Sequence, residues 1–359
     1  ALLLPFSGQY AEAARAIRDG FISAWFGEIG FRPRVVIYDA NAMNIVEKYR
    51  SAVNAGADMV VGPLEKSAIG ALLHSGELPV TTLALNYQDP VPGSGHADLH
   101  SGGVPQLTEF GLVPEDEALQ VARRGFFDGH SAALVIAPDN EWGTRLVRVF
   151  SEQWLAFGGR IVEQVRYEAG ASDFGAPVKE LLNIDSSEIR QAQLRQKLGR
   201  RLETAPRVRE DADMIFLAAV PIYARQIVPQ LRYHRAEHLP VYASSHVYTG
   251  VADAQIGVDM NGVVFPDMPW ILAPDTGGSS LRDAINRNWS SDSSPFRRLY
   301  AFGVDAYRVI PHLRRLLLED GSSYAGETGE LYADSRGQLH RKLLWARFVD
   351  GSPRLLDDQ

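Results

Sequence analysis

Asp213–Gly250, DMIFLAAVPIYARQIVPQLRYHRAEHLPVYASSHVYTG, reads as one strand–helix–strand unit. Met214–Val220 is a continuous apolar run, the pattern of a parallel strand covered on both faces. Pro221 ends the run and suits a helix's first turn, where an N–H would have no intrahelical partner. Ala224, Ile227, Val228 and Leu231 then recur at helical spacing. Pro240 breaks that pattern, and Val241–Ala243 begins a second strand that exits through the small and polar SSHVYTG, 244–250. Open α/β sheets place their ligand crevices outside such strand ends.

The same alternation extends in both directions. Leu2–Leu4 reads as a strand, Pro5–Gly8 as its turn with Ser7 as a helix cap, and Ala13, Ala14, Ile17, Phe21 and Ala24 as a helix's apolar stripe. Arg34–Tyr38, Met59–Val61 and Pro79–Ala84 read as further strands, with a helix over Ile45–Ala55. Pro114–Glu117 opens a helix with acids in its first turn, where the helix dipole favours them. Ala132–Ile136 and Ile161–Tyr167 are strands flanking a helix from about Thr144 to Phe157, and Ser172–Phe174 caps a helix to Leu182. Ser186–Thr204 reads as an extra helix, and 187–209 carries seven basic and two acidic residues, a net of +5. Phe296–Glu319 reads as one long helix, followed by strands at Gly326–Tyr332 and Leu343–Val349 with a turn-rich link at 334–338. The predicted class is α/β, with two doubly wound parallel-sheet lobes.

Composition narrows the functional classes. At 359 residues the chain has room for two domains, and 45% hydrophobic with 22% charged content is that of an ordinary globular protein. A formal charge of −8 argues against general nucleic-acid binding, which wants a basic surface. No apolar run approaches the roughly 20 residues needed to span a bilayer. With no Cys, disulfides, thiolate metal sites and a Cys nucleophile are excluded. The start at Ala1-Leu2-Leu3-Leu4-Pro5, with no Met, reads as the inside of a first strand and suggests an excised domain of a longer protein.

Candidate sites are few. His234-Arg235-Ala236-Glu237-His238 matches the inverted zinc-protease pattern, but the expected place in a helix's last turn favours a solvated helix end, and no metal is expected. Ser94, His96, Asp98 and His100 share one Gly-rich loop, whereas catalytic triads are assembled from separate elements. No G-x-S-x-G elbow is present either, so no catalytic residue is expected, and neither nucleotide-binding glycine motif occurs, so no cofactor is expected. The ligand candidates are the strand exits: Ser7 and Gly8; Glu65, Lys66 and Ser67; Asn86 and Tyr87; Asp139 and Trp142; Ile222 and Tyr223; Ser245, His246 and Tyr248. On the inserted basic helix, Arg190, Arg195, Lys197, Arg200 and Arg201 are candidates for a partner surface.

The segment FLAAVPIYARQIVPQLRYHRAEHLPVYASSHVYTG, together with TEFGLVPEDEA at 108–118, FPDMPW at 265–270 and the basic insertion, resembles the LppC/LpoA family. That resemblance implies an outer-membrane lipoprotein activator of a class A penicillin-binding protein, lipid-anchored at the periplasmic face through an N-terminal part. The implied partners are that peptidoglycan synthase and peptidoglycan. LLLPFSG, VVGPLEKSA, FGVDAYRVI and GETGELYADSRGQLHRKLLWARFVDG resemble type I periplasmic binding proteins along essentially the whole chain. By that analogy one lobe is 1–113 with 246–320, the other 114–245 with 321–359, and three crossovers form a multi-strand hinge. Amino-acid binders of that class fix the ligand's ammonium with an acid near the position of Ser245, yet no Asp or Glu lies between Pro240 and Val251. An unpaired buried ammonium is costly. The expectation is therefore a non-enzymatic regulator of peptidoglycan synthesis, with a solute-binding protein for a small polar ligand, amino-acid-like or a cell-wall fragment, as the alternative.

Overall fold

A computed structural model describes residues 1–30, 32–76, 78–88, 100–101, 104–185, 187, 196–197, 207–273, 279–289 and 295–356. The chain divides into two compact units, Ala1–Val113 with Met268–Leu343, and Pro114–Asp267 with Leu344–Gln359. In the first, β1 (Leu2–Leu4), β2 (Ile37–Asp39), β3 (Met59–Val61) and β4 (Thr81–Ala84) alternate with α1 (Ala11–Gly27), α2 (Ile45–Asn54) and α3 (Lys66–His74). A small ribbon of β5 (His100–Ser101) and β6 (Val104–Pro105) leads to β7 (Leu107–Phe110).

The second unit runs α4 (Pro114–Phe127), β8 (Ala132–Pro138), α5 (Glu141–Ala156), β9 (Arg160–Tyr167), α6 (Gly175–Leu181), β10 (Met214–Leu217), α7 (Pro221–Tyr233) and β11 (Val241–Ala243). It closes with α8 (Ala254–Gly257) and β12 (Val264–Asp267). The chain then returns to the first unit through α9 (Pro269–Leu272), α10 (Ser279–Trp289), α11 (Arg297–Arg308), α12 (Leu313–Leu318), β13 (Tyr324–Ala325), β14 (Glu330–Ala333) and β15 (Gln338–Lys342). It ends in the second with β16 (Leu344–Val349) and β17 (Ser352–Leu355).

The sheets are β13-β14-β15-β7-β4-β3-β1-β2 and β17-β16-β12-β11-β10-β8-β9. Each holds five parallel strands, β2-β1-β3-β4-β7 and β9-β8-β10-β11-β12, in the order second, first, third, fourth, fifth. The direction of winding reverses beside the first strand, which makes the exits of β1 and β3, and of β8 and β10, the topological switch points. Later strands extend each sheet: β15 joins β7 in parallel with β14 and β13 antiparallel beyond, and β16 joins β12 antiparallel with β17 antiparallel beyond it.

Burial explains the strands. All seven residues of β8 and all four of β10 are buried, so the apolar runs lie in sheets covered on both faces. The second unit's core stacks Phe150 on Phe216 at 4.3 Å and on Trp154 at 5.5 Å, while the Trp154 indole N–H donates to the Arg160 carbonyl at 3.0 Å. In the first unit α1 crosses α11 backbone to backbone. A Cβ on Gly20 would lie 2.0 Å from the Tyr300 carbonyl oxygen, and one on Gly303 2.0 Å from that of Ile17.

Several expectations need correction. Residues 246–267 belong to the second unit, because β12 pairs with β11 and β16 there; residues 321–343 belong to the first, because β14 and β15 join β7. The strands expected at Gly326–Tyr332 and Leu343–Val349 thus sit in different sheets, and β15 was the unread strand between them. The expected helix Phe296–Glu319 is interrupted: α11 ends at Arg308, a 3-10 turn spans Ile310–His312, and α12 restarts at Leu313. Pro311 lacks the N–H that would continue the ladder. The cap position of α1 is Tyr10, so Ser7 does not cap it. The inserted helix lies largely outside the described residues. Of its candidates, Arg190, Arg195, Arg200 and Arg201 fall outside, and Lys197 is helical and exposed.

Candidate functional site

In the second unit the exits of β8, β10 and β11 carry their candidates on one edge of the sheet. Asn140 caps α5, its side-chain oxygen accepting the Gly143 amide at 2.8 Å, and this fixes the turn that presents Trp142. The chain after β11 folds into a 3-10 turn, Ser245–Val247. Glu117, from the first turn of α4, reaches this turn. The Ser245 amide donates to Glu117 Oε2 at 2.8 Å and the Ser245 hydroxyl to Oε1 at 2.9 Å. His246 Nδ1 stands 3.6 Å from Glu117 Oε2, and the His246 ring lies 5.2 Å from that of Trp142.

Glu117 is 6% exposed, whereas the His246 side chain is 36% exposed, so a buried carboxylate anchors a turn whose imidazole meets solvent. Beside it Arg145 Nε donates to Glu115 at 2.7 Å. Glu117 is the residue that sequence reasoning missed. The segment 241–250 holds no acid, as read, but an acid arrives from 128 residues away. Its one visible signal was the acidic opening of α4, which the helix dipole already explained.

The remaining second-unit candidates divide. Asp139 and Ile222 are exposed. Tyr223 packs edge-on to Tyr167 at 5.8 Å, and Tyr167 is buried with its hydroxyl donating to the Ala218 carbonyl at 2.9 Å. Burial, and secondarily the Tyr223 hydroxyl, push the Tyr167 hydroxyl's pKa up, so it acts as a neutral strut between β9 and the exit of β10. Tyr248 is buried, with the rings of Phe265 and Phe348 each at 5.7 Å.

In the first unit, Ser7, Gly8, Lys66 and Ser67 are exposed at the exits of β1 and β3, with Glu65 at the cap position of α3 making no side-chain cap. Asn86 donates to the Leu64 carbonyl at 3.0 Å, and the Tyr87 hydroxyl donates to the Leu339 carbonyl of β15. The neighbouring Glu109 is 6% exposed and accepts the Gln88 amide at 3.0 Å and the Gln338 side chain at 2.6 Å. These bonds tie the exit of β4 to β7 and β15. A separate groove of about 490 Å³ in this unit is bordered by Glu319, Asp320, Ser323, Glu330, Tyr332 and Lys342, none of them foreseen.

The His234–His238 motif does not form a metal-binding helix face. Helix α7 stops at Tyr233, His234 is its C-cap, and Arg235 has φ 63°, so the two histidines lie beyond the helix. Among the described residues no group of three or more His, Cys, Asp or Glu is gathered as metal ligands would be, and no helix is long and apolar enough to cross a membrane. Ser94, His96 and Asp98 lie outside the described residues, and His100 is in β5.

Comparison with known proteins supplies what geometry alone does not. The penicillin-binding protein activator LpoA of Vibrio antiquarius is 30% identical over 357 residues, covering 96% of this chain and 56% of that protein. The chain thus spans little more than half the length of the curated relatives it matches. The C-domain of LpoA from Haemophilus influenzae, described as a regulator of PBP1A, superposes with a TM-score of 0.73 at 24% identity over 99% of both chains. An ABC transporter substrate-binding protein from Sphaerobacter thermophilus shares the fold at a TM-score of 0.62 and 17% identity, covering 99% of this chain and 96% of its own. Residues 1–351 match the LppC lipoprotein family model, and the chain belongs to that family.

Proposed function

We propose that this chain binds a bifunctional class A penicillin-binding protein and activates it, without catalysing a reaction of its own. The family match over residues 1–351, joined to relatives named as activators of such a protein, carries this reading. The geometry agrees with it physically. The buried polar groups at the strand exits are matched inside their own unit: Glu117 by Ser245, Glu109 by Gln88 and Gln338, Tyr167 by Ala218. Groups satisfied in this way give a rigid recognition surface. The protein's place is the periplasmic face of the outer membrane, held by a lipid anchor outside these 359 residues, with peptidoglycan as a further partner. The test is reconstitution with the organism's own class A synthase. Cross-link formation is expected to rise when the protein is added, and the two are expected to co-purify; neither effect at saturating protein sinks the reading.

A second reading, a solute-binding protein, is favoured by one observation: Glu117, Trp142 and His246 meet at strand exits of the second unit, the ligand position of such sheets. Saturating ligand stabilises a binder by RT ln(1 + [L]/Kd). A thermal-shift screen of amino acids, sugars and muropeptides therefore decides it, and no shift with any of them ends it.

A further inference from the structure

Helices α4 and α5 of the second unit carry four arginines, Arg123, Arg124, Arg145 and Arg148. Three are matched by acids of this chain: Arg124 with Asp128 at 2.9 Å, Arg145 with Glu115 at 2.7 Å and Arg148 with Glu152 at 3.5 Å. Arg123 is exposed and has no acidic partner among the described residues. Its guanidinium stands 5.9 Å from the ring centroid of Phe127. Phe127 is 69% exposed and touches Phe126 at 6.0 Å and Phe157 at 5.8 Å. Leu119, one turn before Arg123, is also exposed, so Leu119, Arg123 and Phe127 form a stripe at intervals of four along α4.

Aromatic and Arg side chains are enriched at protein interfaces relative to the rest of the surface. An i, i+4, i+8 stripe is the face one helix offers to another amphipathic segment. The unmatched guanidinium gives the sign of the missing charge.

We infer that the Leu119–Arg123–Phe127 stripe seats an amphipathic segment of the penicillin-binding protein, with apolar side chains covering Phe127 and Leu119 and a carboxylate pairing with Arg123. The inference rests on the activator reading above and assigns the surface that serves it. Because Arg123 and Phe127 are exposed, their replacement leaves the core intact.

The test measures affinity of the full-length protein for the synthase's periplasmic region, in wild type, Arg123→Glu, Phe127→Ser and Tyr233→Ser. Tyr233, 81% exposed on α7, is the control. The melting temperatures are expected to agree with wild type, with at least about a 10-fold loss of affinity in Arg123→Glu and Phe127→Ser and none in Tyr233→Ser. Arg123→Glu keeps the test decisive should Phe127→Ser fold poorly. Undiminished binding by Arg123→Glu overturns the inference while leaving the activator reading standing; no binding by wild type removes both. Self-association or binding to anionic vesicles that Phe127→Ser abolishes, with synthase affinity unchanged, would also overturn it by assigning the stripe to another occupant.

Discussion

The two units share a strand order and differ in how their strand exits are finished. The segment TEFGLVPEDEA supplies both with a buried glutamate, Glu109 at the end of β7 and Glu117 in the first turn of α4, each 6% exposed. Glu109 is met by the Gln88 amide and the Gln338 side chain, and Tyr87 ties the same exit to β15. Glu117 is met by both Ser245 donors and stands beside a half-exposed imidazole against Trp142. One glutamate fastens strands together; the other fastens a turn that still faces outward. The same fold can thus tie one exit into its sheet and leave an imidazole in solvent at the other.

The largest effect should come from the helix crossing in the first unit. Gly303→Ala puts a Cβ 2.0 Å from the Ile17 carbonyl oxygen and 2.8 Å from the Phe21 amide nitrogen, so the backbone of one helix must shift. A loss of roughly 3 kcal/mol or more in urea unfolding is expected. The reporter is a first-unit signal, with the second unit unfolding as in wild type. Coincident loss in both units would show that they fold as one body, and the comparison would lose its basis.

Next comes a titration peculiar to the first unit. Asp305 on α11 is fully buried, and burial pushes its carboxyl up to about 6 from the ordinary 3.8, aided by the charge of Glu327 and opposed by hydrogen bonds from the Thr328 hydroxyl and the Glu327 and Thr328 amides. The folded chain therefore holds this proton when the unfolded chain has lost it. The stabilisation is complete below pH 3.8 and is lost as pH rises through about 6. Asp305→Asn has no such titration. The stability difference, wild type minus variant, should shrink by about 3 kcal/mol between pH 3.5 and 7. A flat difference would show the carboxylate ionised throughout by its three donors.

Much of this was legible in the chain. The strands β8, β10 and β11 announce themselves as apolar runs, and Pro221 and Pro240 punctuate the unit between β10 and β11. Less visible was β15, Gln338-Leu339-His340-Arg341-Lys342, which has a single aliphatic residue although Leu339 and Arg341 alternate inward as a strand requires. Missing it moved the last crossover. The packing of Tyr248 was hidden because a polar-looking exit segment carried a core aromatic. Glu117 was unreadable for a different reason: an acid in a helix's first turn is already accounted for locally, and only the fold brings Ser245 to it.

Truncating the two glutamates sharpens the contrast at lower cost. Glu117→Ala strands the Ser245 amide and hydroxyl in a buried site, worth about 2 kcal/mol. Glu109→Ala strands the Gln88 amide, but the Gln338 amide is on a half-buried side chain that can turn to water, so about 1 kcal/mol is expected. Denaturant midpoints measure both. Equal losses would mean that the two exits are built alike.

The smallest expected effect is the most telling for the comparison. His246→Ala removes an imidazole that is 36% exposed and 3.6 Å from Glu117, a half-solvated pair worth at most about 1 kcal/mol. The carboxylate keeps both Ser245 donors, so the turn should hold and the melting temperature should move little. What changes is the surface: Trp142 loses the ring 5.2 Å from its own. If stability instead falls as far as in Glu117→Ala, the imidazole is a structural member like the Tyr87 hydroxyl. The second unit's exit would then be as closed as the first's, and the contrast between the two exits would vanish.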